Sequence, residues 1–285
     1  MWCTSYLCVM ELYTKSQEAA NFVKDYFQLE AEASFPTVAM ITGSGSDSLS
    51  GYFEVINQVS YSDIPHMPVP TFHQGQMILA KNKAGVPIII CLGRLHYYEG
   101  YSALDVTFPI RILQLLGIKQ LYMTNASGGL HPEYNAGNVV LIKDHINMLP
   151  DNPLRGVNDD KLGLRFPDML DAYNSQMRTD IKSYWQSTFN EKLHEGVYAC
   201  FQGPSLETCA EYDFLYRSGA NLVGMSTVPE VIVGRHARMD IAVFSIVTNE
   251  CYPIDKITTT TVEDVIKVAQ GATPKIMQCI SQMMG

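Results

Sequence analysis

A guanidinium and an imidazole stand two residues apart in this chain, as Arg94 and His96 of the run GRLHYYEGY at 93–101. The run follows an apolar stretch, 86–92, that reads as a buried strand. On extended backbone, residues i and i+2 point the same way, so Arg94 and His96 aim two donors at one anion. A planar guanidinium matches phosphate geometry. The next apolar segment ends at Gly117 and reads as a helix, which puts the pair where a parallel strand runs out. Open α/β sheets bind ligands at such places. Tyr98 and Glu99 follow at the distance where a sugar attached near that anion would be held. Alone, these residues read equally well as a solvated surface loop, so the weight falls on the rest of the chain.

Four other points carry possible chemistry. Gly43-Ser44-Gly45 follows a short strand, 37–42, and can turn backbone N–H groups and the Ser44 hydroxyl toward an anion. It is half of a dinucleotide fingerprint, but Ser48 replaces the third glycine and the acidic residue about 20 positions on, Asp63, lies in a Pro-rich loop. The Rossmann reading therefore falls away. Asn125-Ala-Ser-Gly-Gly129 reads as a second glycine-rich turn, after a strand at 120–124, where a flat ligand can approach the backbone. Glu207 stands where a strand at 196–201 passes into a helix at 206–218; a carboxylate favours a helix N-terminus in any case, so capping explains it as well. Asn249 ends the apolar run 241–248, and His73, in Phe72-His-Gln-Gly75, reads by itself as a solvated loop histidine.

The positioning elements alternate. Helices are expected at 16–27 with Ser16 as N-cap, from Ser48 to about Ile56, at 107–116, at 169–185, from Thr227, and at 262–283. Strands are expected at 76–80 and 86–92 as a hairpin, at 139–142 and at 221–226. Residues 147–165 form a long polar loop, a kind usually functional or involved in assembly. No linker or repeat interrupts the βα pattern, so one α/β domain with a mostly parallel sheet is expected. The formal charge of −9 argues against a nucleic-acid coat or an anionic membrane surface, and any phosphate site must be made locally. Seven cysteines, with no C-x-x-C pair and no zinc spacing, fit reduced thiols in a cytosolic protein. The apolar first ten residues lack a basic n-region and read as an N-terminal extension, not a signal peptide or membrane span.

Laid side by side, these segments resemble the trimeric purine nucleoside phosphorylase family from about Thr37 to the C-terminus. The motifs are GSG at Gly43, GRLHYYEGY at Gly93, VTFPIR at Val106, TNASGGL at Thr124, NPLRG at Asn152, RFPDM at Arg165, GPSLET at Gly203, VGMSTVPEVIV at Val223 and TN at Thr248. The resemblance implies a single α/β domain, 1–285, whose mixed sheet forms a distorted barrel flanked by helices, with 1–13 as a divergent extension. It implies phosphorolysis of purine nucleosides such as inosine and guanosine, in purine salvage, to free base and α-ribose 1-phosphate. By position it implies a phosphate site of Ser44, His73, Arg94, His96, the backbone of Ala126, and Ser226. Ribose contacts would be Tyr98 and Met225, with Leu162 offered by a neighbouring subunit and Val262 near the 5′-hydroxyl. Base contacts would be Ala126, Gly128, Leu206, Glu207, Val223, Thr248 and Asn249. His96 belongs to the phosphate set, and Glu207 and Asn249 act on the base. The family implies a homotrimer with sites near subunit interfaces, a cytoplasmic location, small-molecule partners only, and no metal or cofactor beyond phosphate as co-substrate.

The residue types suit that chemistry. An Asn amide donates to purine N7 as negative charge builds on the leaving base. A carboxylate accepts from N1–H of a 6-oxopurine, which adenine lacks. Several positions depart from the family pattern: Ser46-Asp47-Ser48 for apolar residues and glycines, Leu206 for an aromatic, Leu162 for a Phe, Ser127 for an Ala, Glu250 for a Lys and Val262 for a His. Two alternatives stand beside the main reading. One is a 5′-methylthioadenosine phosphorylase, which Val262 favours and Glu207 with Asn249 opposes; the other is a nucleoside-binding protein that has lost catalysis.

Overall fold

The computed structural model describes residues 3–29, 35–43, 49–71 and 73–284, with 3–10 by backbone alone. The strands are β1 (Val38–Thr42), β2 (Phe53–Ser60), β3 (Gln76–Asn82), β4 (Pro87–Leu92), β5 (Gln120–Gly129), β6 (Val139–Asn147), β7 (His194–Cys200), β8 (Leu222–Gly224) and β9 (Asp240–Glu250). The helices are α1 (Cys3–Tyr26), α2 (Ala103–Val106), α3 (Phe108–Leu115), α4 (Ser175–Phe189), α5 (Cys209–Arg217), α6 (Val228–His236) and α7 (Val262–Met283). All nine strands join one sheet in the order β2-β3-β4-β1-β5-β8-β7-β6-β9. Because β9 also pairs with β5, the last five strands in that order close into a barrel, and β1, β4, β3 and β2 extend from it. The sheet is mixed: β1–β4, β1–β5, β5–β9, β6–β7 and β7–β8 run parallel, the remaining pairs antiparallel.

Strict alternation along the central strands feeds two apolar layers. Ala39 and Ile41 of β1, Ile89 and Cys91 of β4, and Ile241 and Val243 of β9 face one layer, covered by α1, α3 and α6. Val38 and Met40, Ile88 and Ile90, and Ala242 and Phe244 face the other, covered by α4 and α7. Each fully buried Val, Ile, Met or Phe among them contributes about 1.5–3 kcal/mol. This two-sided burial makes the strands rigid mounts for the loops at their ends. No helix among the described residues is long and apolar enough to cross a membrane.

Several local expectations are corrected. The first helix starts at Cys3, not near Ser16, and Ser16 is buried within it. No Gly or Pro occurs before Pro36 to stop it, so most of the expected N-terminal extension is helix. The stretch up to Ile56 is not helical: a turn at Gly51 leads into β2, whose aromatic and β-branched residues pair with β3. The fourth helix begins at Ser175 because Asn174 caps it, its side chain accepting from Met177 N. Residues 125–129 are not a turn but the continuation of β5. Their glycines serve close strand packing instead: a Cβ on Gly128 would come within 2.5 Å of Cys251 Sγ, and one on Gly129 within 2.8 Å of Val247 Cγ1.

Candidate active site

A cavity of about 840 Å³ gathers loops and strand ends from β4, β5, β7, β8, β9 and the start of α7. Of the residues expected at a site, His73, Arg94, His96, Tyr98, Ala126, Gly128, Leu206, Glu207, Val223, Met225, Ser226, Thr248, Asn249 and Val262 all line it. Ser44 and the Ser46-Asp47-Ser48 departure lie outside the described residues. Leu162 is elsewhere. It is 3% exposed, and its carbonyl accepts from Gln114 Nε2 at 2.7 Å, so it packs into its own chain and is not offered outward. The large apolar side chains that the 148–174 loop presents most fully are Leu164, Phe166 (85% exposed) and Leu170.

The lining residues form three clusters. The first is cationic and preassembled. Arg94 leaves β4 and is 3% exposed. Its Nε donates to both Glu230 oxygens, at 3.0 and 2.9 Å, and its Nη1 to Thr124 O at 2.7 Å. Its Nη2 is buried and has no hydrogen-bond partner among the described residues. Glu230, in the first turn of α6, also accepts from Thr227 N at 2.9 Å. Thr227 has φ +74°, a conformation that costs a β-branched residue about 1–3 kcal/mol. The Glu230 bond and a 2.8 Å bond from Asn125 Nδ2 to its hydroxyl hold it there, and with it Ser226.

Glu99 was expected near a sugar, but it is spent on His96 of its own loop and on Thr71 of the loop before β3. One oxygen accepts from His96 N at 2.8 Å and sits 3.1 Å from His96 Nδ1; the other accepts from Thr71 N and Thr71 Oγ1 at 2.6 Å each. Burial raises this carboxyl, but the bonds from His96 and Thr71 outweigh it and hold the pKa at about 2. An ionised Glu99 fixes the Nδ1 proton of His96 and leaves Nε2 as the free ring nitrogen. The rings of His73, His96 and Tyr98 stack in sequence, with centroids 5.3 and 4.7 Å apart. Gly93 makes this possible, since a Cβ there would meet His73 Cβ at 2.9 Å. Burial, then the neighbouring His96 and Arg94, push His73 down to about 4, so it is neutral near pH 7.

The second cluster is flat and polar. Gly128 pairs with Val223 on one side and Asn249 on the other. The β5–β9 register slips there, leaving Thr248 as an extra residue, a bulge of the kind that re-aims side chains. Thr248 Oγ1 lies 3.1 Å from Asn249 Oδ1 and 3.2 Å from Ser127 O. Glu207 is not a cap: Thr208 caps α5 in a capping box with Glu211, which leaves Glu207 free to line the cavity. Burial raises its pKa, partly offset by hydrogen bonds from its own backbone and Tyr212. The third cluster is apolar. Val262, Val265 and Ile266 fall at i, i+3 and i+4 on α7, whose N-terminus Thr261 caps.

Thr71, Glu230, Tyr212, Cys251, Val265 and Ile266 line or support the site without having stood out in the sequence. Glu230 had a signal, as the lone charge in the apolar run 228–234. Tyr212 and Cys251 had none, because each reads as ordinary core.

The chain matches the family model of the Phosphorylase superfamily over residues 37–284. It is 42% identical over 238 residues to purine nucleoside phosphorylase 1 of Geobacillus stearothermophilus, covering 83% of this chain and 84% of that one. It is 40% identical over 257 residues to the purine nucleoside phosphorylase of Bos taurus, covering 87% and 88%. Among solved structures it superposes on isoform 2 of purine nucleoside phosphorylase from Schistosoma mansoni in complex with cytosine and ribose-1-phosphate. The TM-score is 0.85 at 32% identity, over 95% of this chain and 96% of that one. A schistosoma purine nucleoside phosphorylase in complex with hypoxanthine gives 0.82 at 30% identity, over 94% and 95%.

Proposed function

The chain belongs to the purine nucleoside phosphorylases of the phosphorylase superfamily, and we propose that it cleaves 6-oxopurine nucleosides, inosine and guanosine, with inorganic phosphate. The observation that carries the proposal is the Arg94 guanidinium, buried on a carboxylate with one Nη left over beside the cavity. Such a group costs free energy unless an anion completes it.

The chemistry follows from the clusters. As the glycosidic bond lengthens, positive charge builds on the sugar and negative charge on the base. Arg94, His96, Ser226 and the backbone of Ala126, with His73 and Ser44 beside them, hold a phosphate dianion beneath the sugar. The dianion stabilises the sugar charge, then attacks the anomeric carbon from the face opposite the base. Inversion gives α-ribose 1-phosphate. Tyr98 and Met225 flank the ribose. Asn249 donates to N7 where negative charge develops, and Glu207 accepts from N1–H. Ala126, Gly128, Leu206, Val223 and Thr248 make the walls of the base site. No metal or cofactor enters this scheme.

The apolar face of Val262, Val265 and Ile266 suits a substrate without a 5′-hydroxyl, and a 5′-methylthioadenosine phosphorylase is the second reading. Glu207 opposes it, since adenine offers no N1–H. Homotrimeric assembly is part of the proposal, supported by the exposed Leu164, Phe166 and Leu170 on the 148–174 loop. A cytoplasmic location fits the free thiols Cys91, Cys200, Cys209, Cys251 and Cys279. A nucleoside panel with and without phosphate, read by chromatography of the released base, tests the assignment. Inosine and guanosine should release base only with phosphate or arsenate, and adenosine far more slowly. Equal release in phosphate-free buffer would overturn it.

A further inference from the structure

A line of buried hydroxyls, broken by one amide, ends at Ser226 in the proposed phosphate site. Asn125 and Ser127, two apart on β5, point to the same side of the sheet, and Ser245 of β9 stands opposite Asn125. Ser127 Oγ lies 2.7 Å from Ser245 Oγ, and Ser245 Oγ donates to Asn125 Oδ1 at 2.5 Å. Asn125 Nδ2 donates to Thr227 Oγ1 at 2.8 Å, and Thr227 Oγ1 lies 3.0 Å from Ser226 Oγ. Ser245 and Thr227 are fully buried, and Asn125, Ser127 and Ser226 are buried where they line the cavity. Ser127, which stands where the resembling family carries an Ala, begins the line.

Each bond of the line fixes the direction of the next. An amide oxygen only accepts, so the Ser245 hydrogen goes to Asn125. The contact between Ser127 and Ser245 must then run from Ser127. At the other end, the Asn125 N–H takes up a lone pair of Thr227 Oγ1. The acceptor left for the Thr227 hydrogen, among the described residues, is Ser226 Oγ, and a buried hydroxyl without a partner is costly. Ser226 therefore accepts from Thr227 and keeps its own hydrogen for the cavity. Turning the Asn125 amide over would reverse every bond of the line. Ser226 would then donate inward to Thr227 and show the cavity a lone pair. A phosphate dianion only accepts, so it favours the first arrangement, and bonds in a chain polarise one another toward it.

We propose that Ser127, Ser245, Asn125 and Thr227 are positioning residues that hold the Ser226 hydroxyl as a donor to phosphate. The inference rests on the assignment of Ser226 to the phosphate site. It gives that site a second arm beside the guanidinium. The two arms share one anchor: Glu230 accepts from Thr227 N at 2.9 Å and clamps Arg94 Nε. Ser245, fully buried, acts on phosphate only through Asn125.

The test measures the KM for phosphate at saturating inosine, with melting temperatures, for Ser245→Ala, Ser226→Ala and the double variant. Ser226→Ala should raise that KM about tenfold or more, as loss of a hydrogen bond to a charged group does. Ser245→Ala should raise it about fivefold, because the amide is freed to turn while the Ser226 hydroxyl remains. In the Ser226→Ala background, Ser245→Ala should have no further effect, since the hydroxyl it orients is gone. Ser127→Ala should act in the same direction and less, because Ser245 keeps its bond to Asn125. A role in packing alone would lower the melting temperature of Ser245→Ala and change the KM equally with and without Ser226, which overturns the inference. An unchanged KM for phosphate in Ser245→Ala, beside a raised one in Ser226→Ala, overturns it while the phosphate assignment stands. A wild-type KM for phosphate in Ser226→Ala, or a wild type inactive on inosine with phosphate, removes both.

Discussion

Two carboxylates line the cavity, Glu99 in the cationic cluster and Glu207 in the base cluster, and their surroundings push them in opposite directions. Glu99 collects donors from His96 and Thr71, and its pKa is held at about 2. Glu207 is raised, because burial outweighs the bonds it receives. The first is finished in the free protein; its donors come from its own chain, and it serves to orient His96. The second faces the cavity, where the N1–H of a 6-oxopurine would add a donor on the proposed assignment. The contrast extends to the neighbours. Arg94 is clamped by a buried carboxylate and a backbone carbonyl, whereas Leu206, beside Glu207, is 57% exposed. On the proposed assignment, one cluster is preorganised for an anion of fixed shape, and the other is completed by the base.

The largest expected effect breaks the preorganised cluster. Glu230→Ala leaves the Arg94 charge buried without its partner, and removing one member of a buried pair costs about 3–5 kcal/mol. Urea unfolding at neutral pH should show that loss, and a change under about 1 kcal/mol would mean that solvent already reaches Arg94. Next in size, Asn249→Ala should lower kcat on inosine about a hundredfold, as removal of an oriented donor at a developing charge does. It should leave the KM for phosphate unchanged, while Arg94→Ala should chiefly raise that constant. If both variants moved the same parameter, the two clusters would not be separate.

Acid sharpens the comparison further. Binding of hypoxanthine in phosphate-free buffer, followed by calorimetry, should weaken as pH falls through the raised Glu207 pKa, which lies above the ordinary carboxylate value of 4.5. A protonated Glu207 no longer accepts from N1–H, so Glu207→Gln should abolish that dependence. Glu99 behaves oppositely. Its folded pKa is depressed, so its stabilising effect is complete above the unfolded value and is lost only as pH falls toward 2. Glu99→Gln should therefore cost stability at neutral pH and narrow its gap from wild type in acid. The smallest effects belong to the apolar positions. Leu206→Phe should improve kcat/KM on inosine by the ~0.5–1.5 kcal/mol of an aromatic contact. With Val262, Val265 and Ile266 at the mouth, 5′-deoxyinosine should be used nearly as well as inosine. A preference of about tenfold or more for the 5′-hydroxyl would mean that a side chain such as Thr260 makes the contact, at more than the usual ~1 kcal/mol of a hydrogen bond.

How much of this was legible depended on whether the cause was local. Arg94 and His96 could be read because strand periodicity alone puts them on one side. Glu230 could not be paired with Arg94, because 136 residues separate them and only the tertiary fold brings the first turn of α6 to the residue that follows β4. Gly128 and Gly129 misled, since glycine marks both a tight turn and a place where strands crowd. Glu207 was obscured by an adjacent Thr208, which performs the capping that a carboxylate there would explain. The second strand was missed because its full burial is confined to Phe53 and Val59, with half of its residues exposed at the sheet edge. Leu162 was placed by resemblance to face a neighbour, yet the 148–174 loop folds it inward and presents Phe166 instead. Position in a motif did not determine which side chain of that loop faces out.

Phosphate, and not water, takes the sugar from the base in the proposed reaction. Running the reaction on inosine in ¹⁸O-enriched water with ordinary phosphate tests it directly, with mass spectrometry of the sugar product. The expected product is unlabelled ribose 1-phosphate, with one phosphate consumed for each hypoxanthine released. Free ribose carrying ¹⁸O at C1 would show that water is the nucleophile and would contradict it.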